Sequence, residues 1–172
     1  DYELCIADSS AESLARLADR PGLTKRQLDV SDSVALHAAL QDKFAVLSAL
    51  PFDITATVAE AAATSGAHYL DLTEDVESTQ RVQMLTAETN CALIPQCGLA
   101  PGFITIAAYE LAKHFDELRD VHMRVGALPK YPSNAMKYNL TWSTDGLINE
   151  YCNPCQAIVE GELTEVLPLE EL

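Results

Sequence analysis

Short apolar stretches alternate along the chain with segments whose apolar positions recur at helical spacing. Tyr2 to Ala7 predicts a strand that ends at Asp8. From Ala11 to Asp19 the apolar positions Leu14, Leu17 and Ala18 predict a helix, with Ser9 or Ser10 as its cap. Arg26 to Val30 predicts a short strand, and Asp32 to Leu40 a helix carrying Val34, Leu36, Ala38, Ala39 and Leu40. Phe44 to Leu50 is almost continuously apolar, as expected of a strand buried on both faces, and Pro51 breaks it. Asp53 to Ser65 predicts an alanine-rich helix closed by Gly66. His68 to Leu72 predicts a strand, Glu74 to Thr89 a long polar helix, and Cys91 to Gln96 another strand. A helix over Thr105 to Phe115 follows the Pro101-Gly102 step.

Strand and helix thus alternate with short connections and no hairpin signal. That order predicts the α/β class with a doubly wound parallel sheet of the Rossmann type. After residue 115 the pattern changes. Asp120 to Leu128 and Met136 to Ser143 alternate like strands, and Gln156 to Glu160 predicts a third. We therefore divide the chain into a dinucleotide-binding domain over 1–115 and part of an α+β substrate and dimerisation domain over 116–172. No internal repeat stands out.

Composition narrows the partners. The chain has 11 basic and 26 acidic residues, a net charge of −15. Phosphate affinity comes from Lys and Arg, so nucleic acid and anionic membrane surfaces are disfavoured. No apolar run approaches the roughly 18 residues of a spanning helix. No basic leader with an apolar core opens the chain, and the five cysteines are odd in number, so a reduced, cytoplasmic setting is expected. Cys152-Asn153-Pro154-Cys155 is formally a CxxC, but no second CxxC or HxxxH accompanies it, so no metal is assigned.

Ligands of an open parallel sheet bind at the carboxyl ends of its strands. Here those ends carry Asp8-Ser9-Ser10, Asp29-Val30-Ser31, Ser48-Ala49-Leu50-Pro51, Asp71-Leu72-Thr73 and Gln96-Cys97-Gly98. Asp8 has two readings: a ribose acceptor at a strand end, or a turn and cap residue. As a ribose acceptor it favours NAD, because Ser9 and Ser10, not Arg, follow it. No two glycines are one residue apart, so the phosphate-binding GxGxxG turn is absent. Either the fold is not dinucleotide-binding or that turn lies upstream of Asp1. His37 and His114 on helices and His122 on a strand read as structural, and His68 receives no role.

Several segments in this order resemble the saccharopine dehydrogenase family, whose members are NAD(P)-dependent oxidoreductases: Ala7-Asp8, Leu28-Asp29-Val30, Val46 to Pro51, Tyr69 to Thr73, Cys97 to Gly102, and Thr141 to Tyr151. The family opens with a GxGxxG unit and continues beyond Leu172, so the resemblance implies a longer polypeptide at both ends. It implies that Asp8, with Ser9 beside it, holds the adenosine ribose, and that Asp29 and Val30 flank the adenine. Ser48, Ala49, Leu50 and Pro51 would pass under the pyrophosphate and nicotinamide ribose. Asp71 and Cys97 would sit near the nicotinamide and the reacting carbon, Asp71 either steadying or relaying charge there or simply capping the strand end, and Cys97 lining the site without attacking. Trp142 and Ser143, with Tyr138 and Asn139 as weaker candidates, would close over an amino-acid substrate. Saccharopine-reducing members carry a basic residue where Asp145 stands; an acid there would attract an amine. The resemblance also implies a homo-oligomer.

The reading that follows is an oxidoreductase acting on the C–N bond of an amino acid, lysine 6-dehydrogenase-like, with NAD preferred over NADP. A saccharopine reductase or a carboxylated-polyamine dehydrogenase is the alternative within the enzyme class. A non-catalytic Rossmann-like interaction module is the alternative outside it. Hydrolase and phosphate-loop chemistry lack GxSxG and GxxxxGK[ST].

Overall fold

A computed structural model describes residues 2–126, 128–140 and 143–169 of the chain. Five strands alternate with helices through its first two thirds: β1 (Leu4–Asp8), α1 (Ala11–Arg16), β2 (Leu23–Gln27), α2 (Ser33–Leu40), β3 (Ala45–Ser48), α3 (Phe52–Ser65), β4 (His68–Asp71), α4 (Val76–Leu85) and β5 (Leu93–Ile94), followed by α5 (Phe103–Ala112). β1 pairs with β2, and β3, β4 and β5 pair in that order, all parallel. Among the described residues no ladder joins the two groups. The parallel α/β class is as the strand-helix alternation implied.

Local signals set the helix ends. Ser10, Asp32 and Asp75 cap α1, α2 and α4, each side chain accepting a backbone N–H three residues on. Gly66 closes α3 in the left-handed region at φ 75°. The core lies where α2, α3 and α4 meet β4 and β5, around Leu36, Leu40, Val58, Ala59, Ala62, Tyr69, Val82 and Leu93. The alanines of α3 let that helix approach its neighbours closely.

Four expectations change. The second strand is β2, Leu23–Gln27, which ends before the predicted Arg26 to Val30 segment is complete. The Leu28 N–H still bonds Asp8 O at 3.0 Å, but Asp29 then turns the chain by accepting the Ser31 N–H. The strand in Phe44–Leu50 is not covered on both faces: Ser48 is buried, but Leu47 is 61% exposed. α3 and α4 cover one face of this sheet, while α5 buries none of its residues. Asp120–Leu128 forms no strand among the described residues. Among the described residues the alternation there has no partner strand to satisfy its backbone. Met136 to Asn139 is bent locally, with Lys137 at φ 55° and the Asn134 side chain bonding Tyr138 and Asn139. The third predicted strand is present as β6 (Cys155–Val159), paired antiparallel with β7 (Glu162–Val166) after helix α6 (Thr144–Glu150).

Candidate functional site

The carboxyl ends of β3 and β4 open into a cleft of about 520 Å³. One side comes from the β3–α3 turn, with Ala49, Leu50, Pro51 and Phe52. The other comes from the β4–α4 turn, with Leu72, Thr73 and Glu74. Ser143 and Gly146, at the start of α6, complete the lining. Ser143 also caps α6, its Oγ accepting the Gly146 N–H at 3.1 Å. The fold therefore brings together four of the sequence-derived candidates: Ala49, Leu50, Pro51 and Ser143.

Ser48 and Asp71 lie one step back from this lining. They are register partners across β3 and β4, and both are buried. Asp71 is 1% exposed, too enclosed to meet a substrate directly. Its Oδ1 accepts the Thr73 N–H and the Gln96 N–H, both at 3.0 Å. Its carbonyl accepts the Cys97 N–H at 2.7 Å. Asp71 Oδ2 and Ser48 Oγ have no partner among the described atoms. Asp71 thus ties the cleft-lining turn after β4 to the loop after β5. Burial and the nearby Asp71 carboxylate push the phenol of Tyr69 upward, and Tyr69 Oη donates to Thr55 O at 3.3 Å.

Cys97 sits in the loop that Asp71 holds. Burial, reinforced by the Asp71 charge, pushes its thiol upward, and Sγ donates to Ile94 O at 3.3 Å. A protonated thiol of this kind is not a nucleophile. The same loop makes a close backbone turn. Gly102, at φ 127°, leaves room that a Cβ would take from the Gly98 carbonyl, and it would lie 2.8 Å from Gln96 O and Gly98 N.

The proposed adenosine end lies on β1 and β2. Asp8 Oδ1 accepts the Ser10 N–H at 2.7 Å, and Ser10 Oγ in turn caps α1. Ser9 offers its carbonyl to Gln27. Asp29 is exposed and held below the ordinary carboxylate range by the hydroxyl and N–H of Ser31. Val30 packs partly against the core. Asp8 is therefore a turn residue, and its exposed carboxylate stands at a strand end.

The remaining candidates stand apart. Tyr138 and Asn139 are tied to Asn134, and neither lines the cleft. Asp145 is exposed on the first turn of α6, beside the lining but not in it. Trp142 lies outside the described residues. His68 has a structural role, because its Nδ1 accepts the Ala92 N–H at 2.9 Å and so holds β5 against β4. All five cysteines are free, and among the described residues no group of three metal-ligating side chains converges. Among them, too, no helix is long and apolar enough to cross a membrane.

Two residues escaped the sequence reading. Glu74 is the titratable group of the cleft lining, and its carboxyl is pushed upward first by burial and then by the charges of Glu150 and Asp75. Asn149, on α6, donates to Asp75 Oδ1 at 2.9 Å across 74 positions of chain. Glu74 follows a strand-end Asp-Leu-Thr and could have been read as a strand-end acid. Asn149 carried no local signal.

Comparison with known proteins shows the family and the fold. Residues 1–97 match the family model described as the saccharopine dehydrogenase NADP binding domain. Residues 98–172 match that of the saccharopine dehydrogenase C-terminal domain. A curated relative from Schizosaccharomyces pombe, saccharopine dehydrogenase [NADP(+), L-glutamate-forming], is 23% identical over 81% of this chain and 32% of its own length. One of the same name from Pyricularia oryzae is 22% identical over 95% of this chain and 38% of its own. The chain thus spans about a third of the curated relatives it matches. Apo saccharopine dehydrogenase (L-Glu forming) from Saccharomyces cerevisiae superposes with a TM-score of 0.60 at 15% identity, over 97% of this chain and 44% of that one. These findings overturn the expectation of NAD over NADP, because the matching model is an NADP binding domain and both curated relatives are named for NADP(+). The physical reason is at Asp8: its carboxylate is engaged by the Ser10 N–H, so an acid at this strand end is not by itself a sign of NAD.

Proposed function

The chain belongs to the saccharopine dehydrogenase family, and from that premise we propose that it forms the cofactor and substrate cleft of an NADP-dependent oxidoreductase acting on the C–N bond of an amino acid. The observation that carries this reading is the cleft itself. It opens at parallel strand ends, where dinucleotides bind, and a helix from the second family domain walls it. The residues present fit the cofactor at two places. Exposed Asp8 and Ser9 present oxygens at the strand end where an adenosine ribose would lie, and the uncharged Ala49-Leu50-Pro51 turn admits a flat ring. The glycine turn that would hold the pyrophosphate is not in this sequence.

A bound nicotinamide supplies the hydride acceptor. The protein's share is positioning and proton handling. The apolar 49–52 turn and Leu72 exclude water. Glu74 would take one proton from the substrate ammonium, so that the free amine can become an iminium as hydride leaves the carbon. Its raised carboxyl suits that step, because it releases and accepts a proton nearer neutrality than an exposed glutamate does. The same acid favours an amine-bearing substrate of the lysine type. Saccharopine itself is the second reading, favoured by the names of both curated relatives.

The test is reduction of NADP+ followed at 340 nm with the intact protein, using lysine, saccharopine and a panel of other amino acids. An absorbance rise with one of them is expected. A flat trace with every substrate and both nicotinamide cofactors refutes the oxidoreductase reading.

A further inference from the structure

α6 has little apolar anchorage. Gly146 is its one buried residue, yet the helix forms a wall of the cleft. What holds it is polar. Asn149 Nδ2 donates to Asp75 Oδ1 at 2.9 Å. Behind it, Asn153 Nδ2 donates to Asn149 Oδ1 at 3.1 Å and to Asn149 O at 3.2 Å. On the other side, Asp75 Oδ2 accepts the Ser78 N–H at 2.7 Å and caps α4. The Asp75 N–H donates to the hydroxyl of Thr73, which lines the cleft. An unbroken chain of hydrogen bonds therefore runs from Asn153 through Asn149 and Asp75 to the cleft lining.

The junction carries like charges on both sides. Glu150 follows Asn149, Glu74 precedes Asp75, and the Glu150 charge is felt at Glu74. Two acidic segments meet here, and the neutral amide of Asn149 is the donor between them. Burial opposes ionisation of Asp75, but the hydrogen bonds from Ser78 and Asn149 together hold its carboxyl below the ordinary range. A carboxylate at position 149 would replace that donor with a further repulsion.

We propose that Asp75 and Asn149 form a clasp that positions α6 as the substrate wall of the cleft, which makes Asn149 a positioning residue for the reaction. The role of the cleft rests on the oxidoreductase reading above; the clasp does not. The test uses the intact protein, with amide hydrogen exchange over 144–151 and steady-state kinetics as separate readouts. Asn149→Asp should speed exchange over 144–151 about tenfold while leaving β4 and α3 unchanged. It should raise KM for the amino acid about tenfold with kcat within about threefold of wild type.

The reciprocal double variant Asp75→Asn/Asn149→Asp keeps an N-cap on α4, keeps the net charge and restores an amide-to-carboxylate bond. It should return both readouts to within about twofold of wild type. Unchanged exchange in Asn149→Asp, failure of the double variant to restore it, or altered exchange with unaltered KM overturns the proposal. If wild type turns over no amino acid, the oxidoreductase reading falls, and binding of lysine measured by calorimetry replaces KM with the same criteria. Should Asn149→Asp lose exchange protection throughout the chain, Asn149→Ala, which removes the donor without adding charge, takes its place under those criteria.

Discussion

Replacing Asp71 separates a chemical from an architectural role for this acid. Its Oδ1 accepts two backbone N–H groups, from Thr73 and Gln96, at 3.0 Å each. Hydrogen bonds to a charged group are worth roughly 1.5–3 kcal/mol apiece. Asp71→Ala leaves both donors unsatisfied, a gross loss of about 3–6 kcal/mol. Part of that is offset, because the alanine also relieves burial of the unpartnered Oδ2. A net destabilisation of about 2–4 kcal/mol results. Asp71→Asn keeps an oxygen at Oδ1, so both bonds survive, and its amide meets the space where Oδ2 had no partner. The cost should be below about 1.5 kcal/mol. Urea unfolding of the intact protein gives the stabilities, and initial rates with NADP+ give kcat. An architectural Asp71 makes Ala far worse than Asn in both. The reasoning fails if Asn abolishes kcat as thoroughly as Ala while its urea midpoint stays near wild type. Asp71 would then act through its charge.

Gly102→Ala should destabilise by about 3 kcal/mol or more, since left-handed strain adds to overlap with backbone atoms that cannot rotate away; a urea midpoint within error of wild type would contradict the turn geometry. Glu74→Gln should lower kcat by about 10²–10⁴-fold, the usual share of a general base, and flatten the acid limb of the pH–rate profile. It should also change stability with a definite sign. The folded-state carboxyl lies above its ordinary value, so the stability it contributes is present at low pH and lost as pH rises through the folded value. Glu74→Gln should therefore raise the urea midpoint at pH 8 but not at pH 4, and equal shifts at both would contradict the burial argument. Ser10→Ala should cost about 1 kcal/mol by uncapping α1, read as a lower urea midpoint, while the residue-10 N–H still bonds Asp8, so the Kd for NADP+ in titration calorimetry should stay near wild type.

The fold was legible wherever its signals are local. The caps at Ser10 and Asp32, the glycine stop at Gly66 and the proline break at Pro51 each act within one turn of the chain, and the elements between them fall within a few residues of the sequence reading. Burial was less legible. A continuous apolar run such as Phe44–Leu50 says that two faces could be covered; which face is covered depends on helices elsewhere in the chain. Alternation at Asp120–Leu128 misled for a related reason, because a strand needs a partner as well as a pattern. Of the site, the strand-end turns were readable because the parallel topology fixes where ligands enter. Glu74 and Asn149 were not, since one gains its character from charges on α6 and the other from a contact 74 positions away.

The acidity of the chain takes on a different meaning at this cleft. The sequence offered Asp145 as the acid that would draw an amine, but Asp145 is exposed to water, where a charge attracts weakly and is screened within a Debye length of about 8–10 Å. Glu74 is half-buried, and the attraction it exerts on an ammonium is stronger because less water stands between them. The same burial raises its carboxyl, so full charge develops only as pH rises. A cationic substrate would lower it again, because an opposite charge favours ionisation. On the proposed reading, amine binding and proton release from Glu74 are therefore linked, and the acid that would recognise the amine would also deprotonate it. A substrate with a second carboxylate near Glu74 would instead push that carboxyl higher and hold it protonated. On the proposed reading, the choice between a lysine-type and a saccharopine-type substrate thus turns on which end of the molecule faces Glu74.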